Sequence, residues 1–146
     1  MFNIAHTVEI DHPIEHVFAY VTDRANLPQW FSAVRSATQE GPNRIGIRTT
    51  ITAQLLGYEV TSANEVVEYQ LNHTFAIKAD EPFPVYEREI FTQRGRGTRI
   101  DYQGTFQTRG VYKVVAPLLH WMLKRQLVAS YNQLKVLLES KEAARM

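Results

Sequence analysis

The sequence predicts a single α+β domain in which a curled antiparallel sheet of about seven strands wraps around a long C-terminal helix. Between residues 34 and 109, apolar and polar residues alternate, as they do in strands with one buried face. From residue 112 the apolar spacing becomes helical and stays so along the chain. With 146 residues the chain can build one core, and we expect one domain over residues 1–146.

The first strand and two short helices are indicated before residue 34. Residues 2–10 alternate between apolar and polar types, and Pro13 suits the first position of a helix because it has no amide hydrogen to leave unpaired. Polar residues 23–26 interrupt that helix, and Trp30 and Phe31 follow in a second helical turn. We expect both aromatic side chains to lie in the core rather than to stack on a ligand.

Turn signals divide the β-rich region into strands. They are Glu40–Asn43, Gly57, Asp80–Pro84 and the hairpin Arg94–Thr98. An alternating row from Val67 to Ile77 predicts a strand with one apolar face. That face carries Tyr69, Leu71, His73 and Phe75.

The strand at residues 85–92 has two possible facings. One face carries Val85, Glu87, Glu89 and Phe91, and the other carries Tyr86, Arg88 and Ile90. If the first face is inward, two carboxyl groups are buried, which is costly unless they are solvated, protonated or paired. The alternative is that this end of the sheet is open to solvent and that both glutamates are solvated.

The C-terminal helix has one wide apolar face. Its members are Leu119, Leu123, Leu127, Tyr131, Leu134 and Leu138, with Val115, Leu118 and Met122 widening its first half. Pro117 is expected to kink the helix or to mark a restart near its beginning.

Several classes of function are disfavoured by composition. The chain has no cysteine, which excludes disulfides and thiolate chemistry, and its net charge of +1 gives no general electrostatic case for nucleic acid or for an anionic membrane. No signal peptide and no apolar run of about 20 residues are visible, so we expect a cytoplasmic protein without stable membrane insertion. His12 and His16 have a spacing that metal sites use, but we expect them on a solvated surface, with no metal site and no cofactor.

Three segments carry a resemblance to a known superfamily. They are IDHPIEHVFAYVTDRANLPQWFSAV, GRGTRIDYQGTF and LVASYNQLKVLLES. On these the chain resembles the START-like (SRPBCC, Bet v 1-like) superfamily with the helix-grip fold, and within it the polyketide cyclase/dehydrase-like group. The resemblance implies that the two short helices form a V under the open end of the sheet. It also implies a cavity between the sheet and the long helix for a lipid, polyketide, quinone or similar molecule.

Two functions follow from this resemblance as expectations. The first is binding of a hydrophobic small molecule, with no chemistry. The second is a polyketide cyclase or dehydratase activity. The resemblance supplies no catalytic motif, and the strand patterns themselves indicate His73 with Glu87 or Glu89 as its acid and base. The residues expected to contact the ligand are Tyr69, Leu71, His73, Phe75, Phe91, Tyr102, Met122 and Leu123.

Overall fold

A computed structural model describes residues 1–145, with side chains as far as Lys141. The strands are β1 (Phe2–Ile10), β2 (Val34–Gln39), β3 (Arg48–Leu55), β4 (Tyr58–Gln70), β5 (Thr74–Ala79), β6 (Val85–Arg94) and β7 (Gly97–Phe106). The helices are α1 (Ile14–Thr22), α2 (Leu27–Trp30), α3 (Val111–Val114) and α4 (Ala116–Arg145), and a 3-10 turn at Arg24–Asn26 joins α1 to α2. Among the described residues, no helix has the length and hydropathy that crossing a bilayer requires.

The seven strands form one antiparallel sheet in the order β1-β7-β6-β5-β4-β3-β2. From β2 to β7 each strand pairs with its neighbour in sequence, and β7 then pairs with β1 along Phe2–Ile10. The sheet curls, but its edge strands β1 and β2 do not pair with each other. The predicted α+β class, with a long C-terminal helix and two short helices after β1, is confirmed.

Helix α4 lies against the inner face of this sheet through its predicted leucine row. Leu119, Leu127, Leu134 and Leu138 are buried together with Tyr131, while Leu123 is partly buried. Leu118 was expected on the same face and is exposed. It precedes Leu119 by one residue, which turns its side chain about 100° around the helix and away from the sheet.

Pro117 marks a restart of the helix, as expected. The chain leaves β7 through Gly110, forms the single turn α3, breaks at Val115 and continues as α4 with Pro117 in second position. Pro117 has no amide hydrogen, and the first turn of a helix is where none is needed.

Side chains of the polar segment after α1 form hydrogen bonds with backbone groups at the end of the helix and in the turn. The Asp23 carboxylate accepts a hydrogen bond from the Ala25 amide, and the Asn26 side chain donates to the carbonyl of Tyr20. The chain can therefore turn between two short helices without losing backbone hydrogen bonds. It delivers Trp30 into the core with only 4% of its surface exposed, which confirms the predicted burial, and Phe31 packs partly buried beside it.

The row from Val67 to Ile77 is two strands and not one. β4 ends at Gln70, Asn72 adopts a positive φ of 57°, and β5 begins at Thr74. Leu71 and His73 therefore lie in an exposed turn, Leu71 with 69% of its surface accessible. The turn is three residues long, so alternate positions stay in phase across it and the sequence pattern does not reveal it.

The facing of β6 is now defined. Phe91 and Glu89 are buried, Val85 and Glu87 are partly buried on the same face, and Tyr86 is exposed on the other. The strand thus directs two carboxyl groups toward the interior of the molecule.

Candidate functional site

A cavity lies between the inner face of the sheet, the turn before α2, and α4. It has a volume of about 190 Å³. Most of its wall is apolar, including Leu27, Trp30, Ile51, Phe75, Ile77 and Leu127. Glu87, Glu89, Tyr102, Tyr131 and Arg24 add a small polar region to this wall, so the site combines an apolar body with a few convergent polar groups.

Glu89 and Tyr131 join the sheet to the helix across this cavity. The Tyr131 hydroxyl on α4 donates a hydrogen bond of 2.5 Å to Oε2 of Glu89 on β6. Both side chains are almost completely buried. The bond occupies one oxygen of the carboxyl group, so the other remains for a further partner.

Glu87 is held in a similar way by Tyr102, because position 104 has no side chain. Glu87 lies opposite Gly104 across the β6–β7 ladder. Tyr102 folds over Gly104 and donates a hydrogen bond of 2.8 Å to Oε2 of Glu87. A Cβ atom at position 104 would overlap the Tyr102 hydroxyl and lie 2.9 Å from Cε2 of Phe106. The glycine is therefore what allows Tyr102 to reach Glu87.

Arg24 supplies the cation of the site from the 3-10 turn. Its amide donates to Gln39, and its guanidinium carbon lies 5.7 Å from the centre of the Phe75 ring. Nε of Arg24 and Nε1 of Trp30 are buried without a hydrogen-bond partner among the described residues. Buried donors are normally satisfied, so these two are exceptions, and both nitrogen atoms are closed off from the cavity by their neighbours.

Burial dominates the protonation of this cluster. Burial raises the pKa of Glu89 to about 7, against the opposing effects of the Tyr131 hydrogen bond and of Arg24. Burial also raises the pKa of Glu87, again opposed by its tyrosine and by Arg24. The pKa values of Tyr102 and Tyr131 lie well above the usual value, because burial and the neighbouring carboxyl groups disfavour the phenolate. At neutral pH the site therefore holds a carboxyl group that can give or take a proton beside two neutral phenols.

The structure brings together only part of the residue set expected from the sequence. Phe75, Tyr102, Leu123, Glu87 and Glu89 line the cavity, whereas Tyr69, Leu71, His73, Phe91 and Met122 do not. Leu71 and His73 lie outside because of the turn between β4 and β5.

Tyr69, Phe91 and Met122 lie outside the cavity for another reason, which is packing. The rings of Tyr69 and Phe91 lie 5.7 Å and 4.9 Å from Phe18 of α1, so α1 covers this part of the sheet. Met122 packs at the margin of the core.

Arg24 is a functional candidate that the sequence does not indicate, whereas Tyr131 fits a place in the cavity or in the core equally well from the sequence alone. Arg24 lies in the polar break, where neither helical nor strand spacing assigns a direction to a side chain. Tyr131 is the one residue with a hydroxyl group in an otherwise leucine row, and that was the available signal. A phenol at a core position normally has a hydrogen-bond partner, which here is Glu89.

The two histidines with a metal-like spacing are arranged differently from the prediction. His12 is buried rather than solvated, with its ring 5.4 Å from that of His16, which is exposed. Pro13 at the start of α1 fixes the preceding residue inside, against the β7 hairpin, where Thr98 donates to the His12 carbonyl. In the part of the chain that the structure describes, no group of three potential ligand side chains comes together.

Family comparison agrees with this architecture. The model of a family described as "Polyketide cyclase / dehydrase and lipid transport" matches residues 1–139. The chain belongs to this family. No curated protein matches the chain significantly.

Several solved structures have the same fold as this member of the polyketide cyclase / dehydrase and lipid transport family. The protein TTHA0849 from Thermus thermophilus has a TM-score of 0.81 at 16% identity, covering 96% of this chain and 99% of that one. A START superfamily protein from Mycobacterium smegmatis has a TM-score of 0.73 at 14% identity, covering 94% and 97%. The di-domain ARO/CYC protein BexL from the BE-7585A biosynthetic pathway has a TM-score of 0.74 at 18% identity, covering 94% of this chain and 50% of that one. At these identities the likeness concerns the fold.

Proposed function

We propose that the protein binds a small hydrophobic molecule in the cavity, with an oxygen-bearing group of that molecule at Glu87 and Glu89. The observation that carries this proposal is the cluster of carboxyl and phenol groups in the wall of a largely apolar cavity. Placing two carboxyl groups in an apolar interior lowers stability, even when protonation and hydrogen bonds reduce the cost, and residues kept at such a cost are candidates for a binding role.

The size of the cavity limits the ligand. An apolar cavity of about 150 Å³ holds benzene, and drug-sized pockets span about 300–1,000 Å³. The observed volume of about 190 Å³ therefore fits a molecule of one or two rings without rearrangement of the wall. This supports small aromatic or alicyclic ligands over long-chain lipids as first probes.

We expect 1-naphthol to bind more tightly than naphthalene, because its hydroxyl group can hydrogen-bond to the carboxyl cluster. At a pH above the Glu89 pKa of about 7, where this carboxyl group is ionised, the advantage should fall about tenfold, or about 1.4 kcal/mol, in the double variant Glu87→Gln/Glu89→Gln, because hydrogen bonds to charged groups are stronger than those to amides. Titration calorimetry on wild type and variant, with both probes, measures this difference.

Two matched controls accompany this experiment. Glu59→Gln changes an exposed glutamate on β4, and His73→Ala changes the exposed turn, so neither should alter the affinity of either probe. Equal losses for naphthol and naphthalene in the double variant, or no binding of either probe to wild type, would contradict the proposal.

A second candidate function is acid–base catalysis on such a ligand, and the raised pKa of Glu89 favours it. A group with a pKa of about 7 is suited to exchange protons with a substrate at neutral pH. In this version Glu89 or Glu87 removes a proton from the carbon beside a carbonyl group, while Arg24 stabilises the resulting charge. His73 takes no part, because it lies outside the cavity.

We expect wild-type protein to accelerate exchange of the α-protons of 2-tetralone with D₂O if the protein is an acid–base catalyst. NMR measures the exchange rate. Glu89→Gln should reduce the acceleration about a hundredfold or more, the size of effect typical of a general base. If 2-tetralone binds tightly but its α-protons exchange no faster than in buffer, the catalytic hypothesis is wrong and the function is binding.

A further inference from the structure

Helix α3 and the first turns of α4 expose a row of large apolar side chains. Val111, Val114, Leu118 and Trp121 have 70%, 82%, 52% and 58% of their surface accessible. Val111 and Val114 share one side of α3, and Leu118 and Trp121 share one side of α4, because each pair is three residues apart. Ten large hydrophobic side chains are exposed among the described residues, and four of them lie within residues 111–121. They therefore form a patch rather than scattered single residues.

Positive charge surrounds this apolar row. Residues 102–138 contain no aspartate or glutamate and include five lysines and arginines. Of these, Lys113, Lys124 and Arg125 are exposed near the row, and none of the three makes an ion pair within the described part of the chain. Arg109, at the edge of the row, is already paired with Glu81. The net charge of +1 for the whole chain thus conceals a locally basic surface.

Trp121 and the cations also shape a shallow cleft on this surface. Its lining residues are Pro117, His120, Trp121, Lys124 and Arg125. The Arg125 guanidinium lies 5.2 Å from the centre of the Trp121 ring, so the aromatic ring and the charge are held side by side. This arrangement offers two or more cationic groups to one phosphate while leaving apolar side chains beside it.

From this combination we propose that α3 and the start of α4 dock on an anionic lipid surface. The apolar row enters the boundary between headgroups and acyl chains, and Lys113, Lys124 and Arg125 contact lipid phosphates. Tryptophan is the residue that favours this boundary most, and a basic rim complements an anionic surface. The docking is peripheral, since the row is only a few turns long and no described helix can span a bilayer.

The docking surface adjoins the wall of the cavity. Tyr112 of α3 packs against Phe83, which lines the cavity, at 5.2 Å between ring centres. Leu123 and Gln126 of α4 line the cavity as well. Lipid docking would therefore place the cavity beside a reservoir of hydrophobic molecules, although the docking itself does not depend on which ligand the cavity holds.

Vesicle flotation tests the proposal directly. Wild-type protein is expected to float with vesicles of equal parts phosphatidylcholine and phosphatidylglycerol, and to bind pure phosphatidylcholine vesicles at least tenfold more weakly. Raising NaCl from about 0.1 M to about 1 M should release it, because the Debye length shortens from about 10 Å to about 3 Å. Lys124→Glu/Arg125→Glu should weaken binding at least tenfold, since each cation near such a surface contributes about fivefold.

A matched pair of variants tests whether vesicle binding depends on the apolar row itself or on any exposed apolar side chain. Leu118→Glu/Trp121→Glu should abolish flotation, whereas Val136→Glu, an equally exposed position four turns further along α4, should leave it unchanged. All of these positions are on the surface, so the midpoint of thermal unfolding should stay within a few degrees. No flotation of wild type with anionic vesicles overturns the proposal. It is also overturned if wild type is a dimer in solution that Leu118→Glu/Trp121→Glu converts to a monomer, because the row is then an interface between copies of the chain.

Discussion

Replacing Leu134 with alanine is expected to lower the free energy of unfolding by about 2–5 kcal/mol. Leu134 is completely buried where α4 meets the sheet, and it does not line the cavity. Its removal creates a new void in a packed region and also loses the transfer free energy of the side chain. Urea titration followed by circular dichroism measures the change.

Two comparisons on the same helix sharpen this expectation. Leu127→Ala should cost less than Leu134→Ala, because Leu127 already faces empty space on one side. Val136→Ala, at an exposed position, should change the free energy of unfolding by less than about 0.5 kcal/mol. A loss below about 1 kcal/mol for Leu134→Ala would show that the helix is loosely held, and the orientation of α4 described here would be wrong.

The second large effect is on the pH dependence of stability. The pKa of Glu89 is about 7 in the folded protein and 4.5 as the ordinary value. Between these two pH values the folded state keeps a proton that the unfolded state releases, so the stabilisation is complete below pH 4.5 and is lost as the pH rises toward 7. The loss is on the order of 3 kcal/mol. Glu87, whose pKa is also raised, adds to it in the same direction.

Glu89→Gln isolates this contribution from those of other groups. The lowered pKa values of Glu68, Asp101 and Glu139 act in the opposite sense at acid pH, but they are common to both proteins and cancel in the difference. The free energy of unfolding of wild type minus that of Glu89→Gln should fall as the pH rises from 4.5 to 7 and then level off. A difference that does not change with pH would show that Glu89 titrates normally and is not buried as described.

Local patterns were sufficient to predict the layers of the fold. A period of two along the strands, a period of 3.6 in the last third and the polar break at residues 23–26 each report on burial within a single element. The patterns were insufficient wherever a side chain depends on a neighbouring element. The three-residue turn 71–73 does not interrupt the alternation of apolar and polar positions. The pattern therefore predicts Leu71 and His73 on the inner face, and this prediction is wrong.

The site was predictable only in part for the same reason. Glu87 and Glu89 were recognisable because two carboxyl groups interrupted a row with apolar members at each end. That this row faces inward depends on α4 and on the tyrosines that meet the carboxyl groups, which are 15 and 42 residues away in sequence. Arg24 reaches the cavity through a turn whose geometry no periodic pattern describes.

The unpaired edges of the sheet have a mechanical consequence. In a closed barrel, strand number and stagger fix the internal diameter, so enlarging the interior would require breaking a row of backbone hydrogen bonds. Here β1 and β2 do not pair, and side chains of α2 and α4 complete the enclosure. Outward movement of α4 would break no strand-to-strand hydrogen bond. It would break side-chain bonds from α4, such as that of Tyr131 to Glu89 and that of Lys135 to the Glu9 carbonyl. A larger interior would therefore cost the side-chain contacts of one helix, whereas the backbone ladder of seven strands could stay intact.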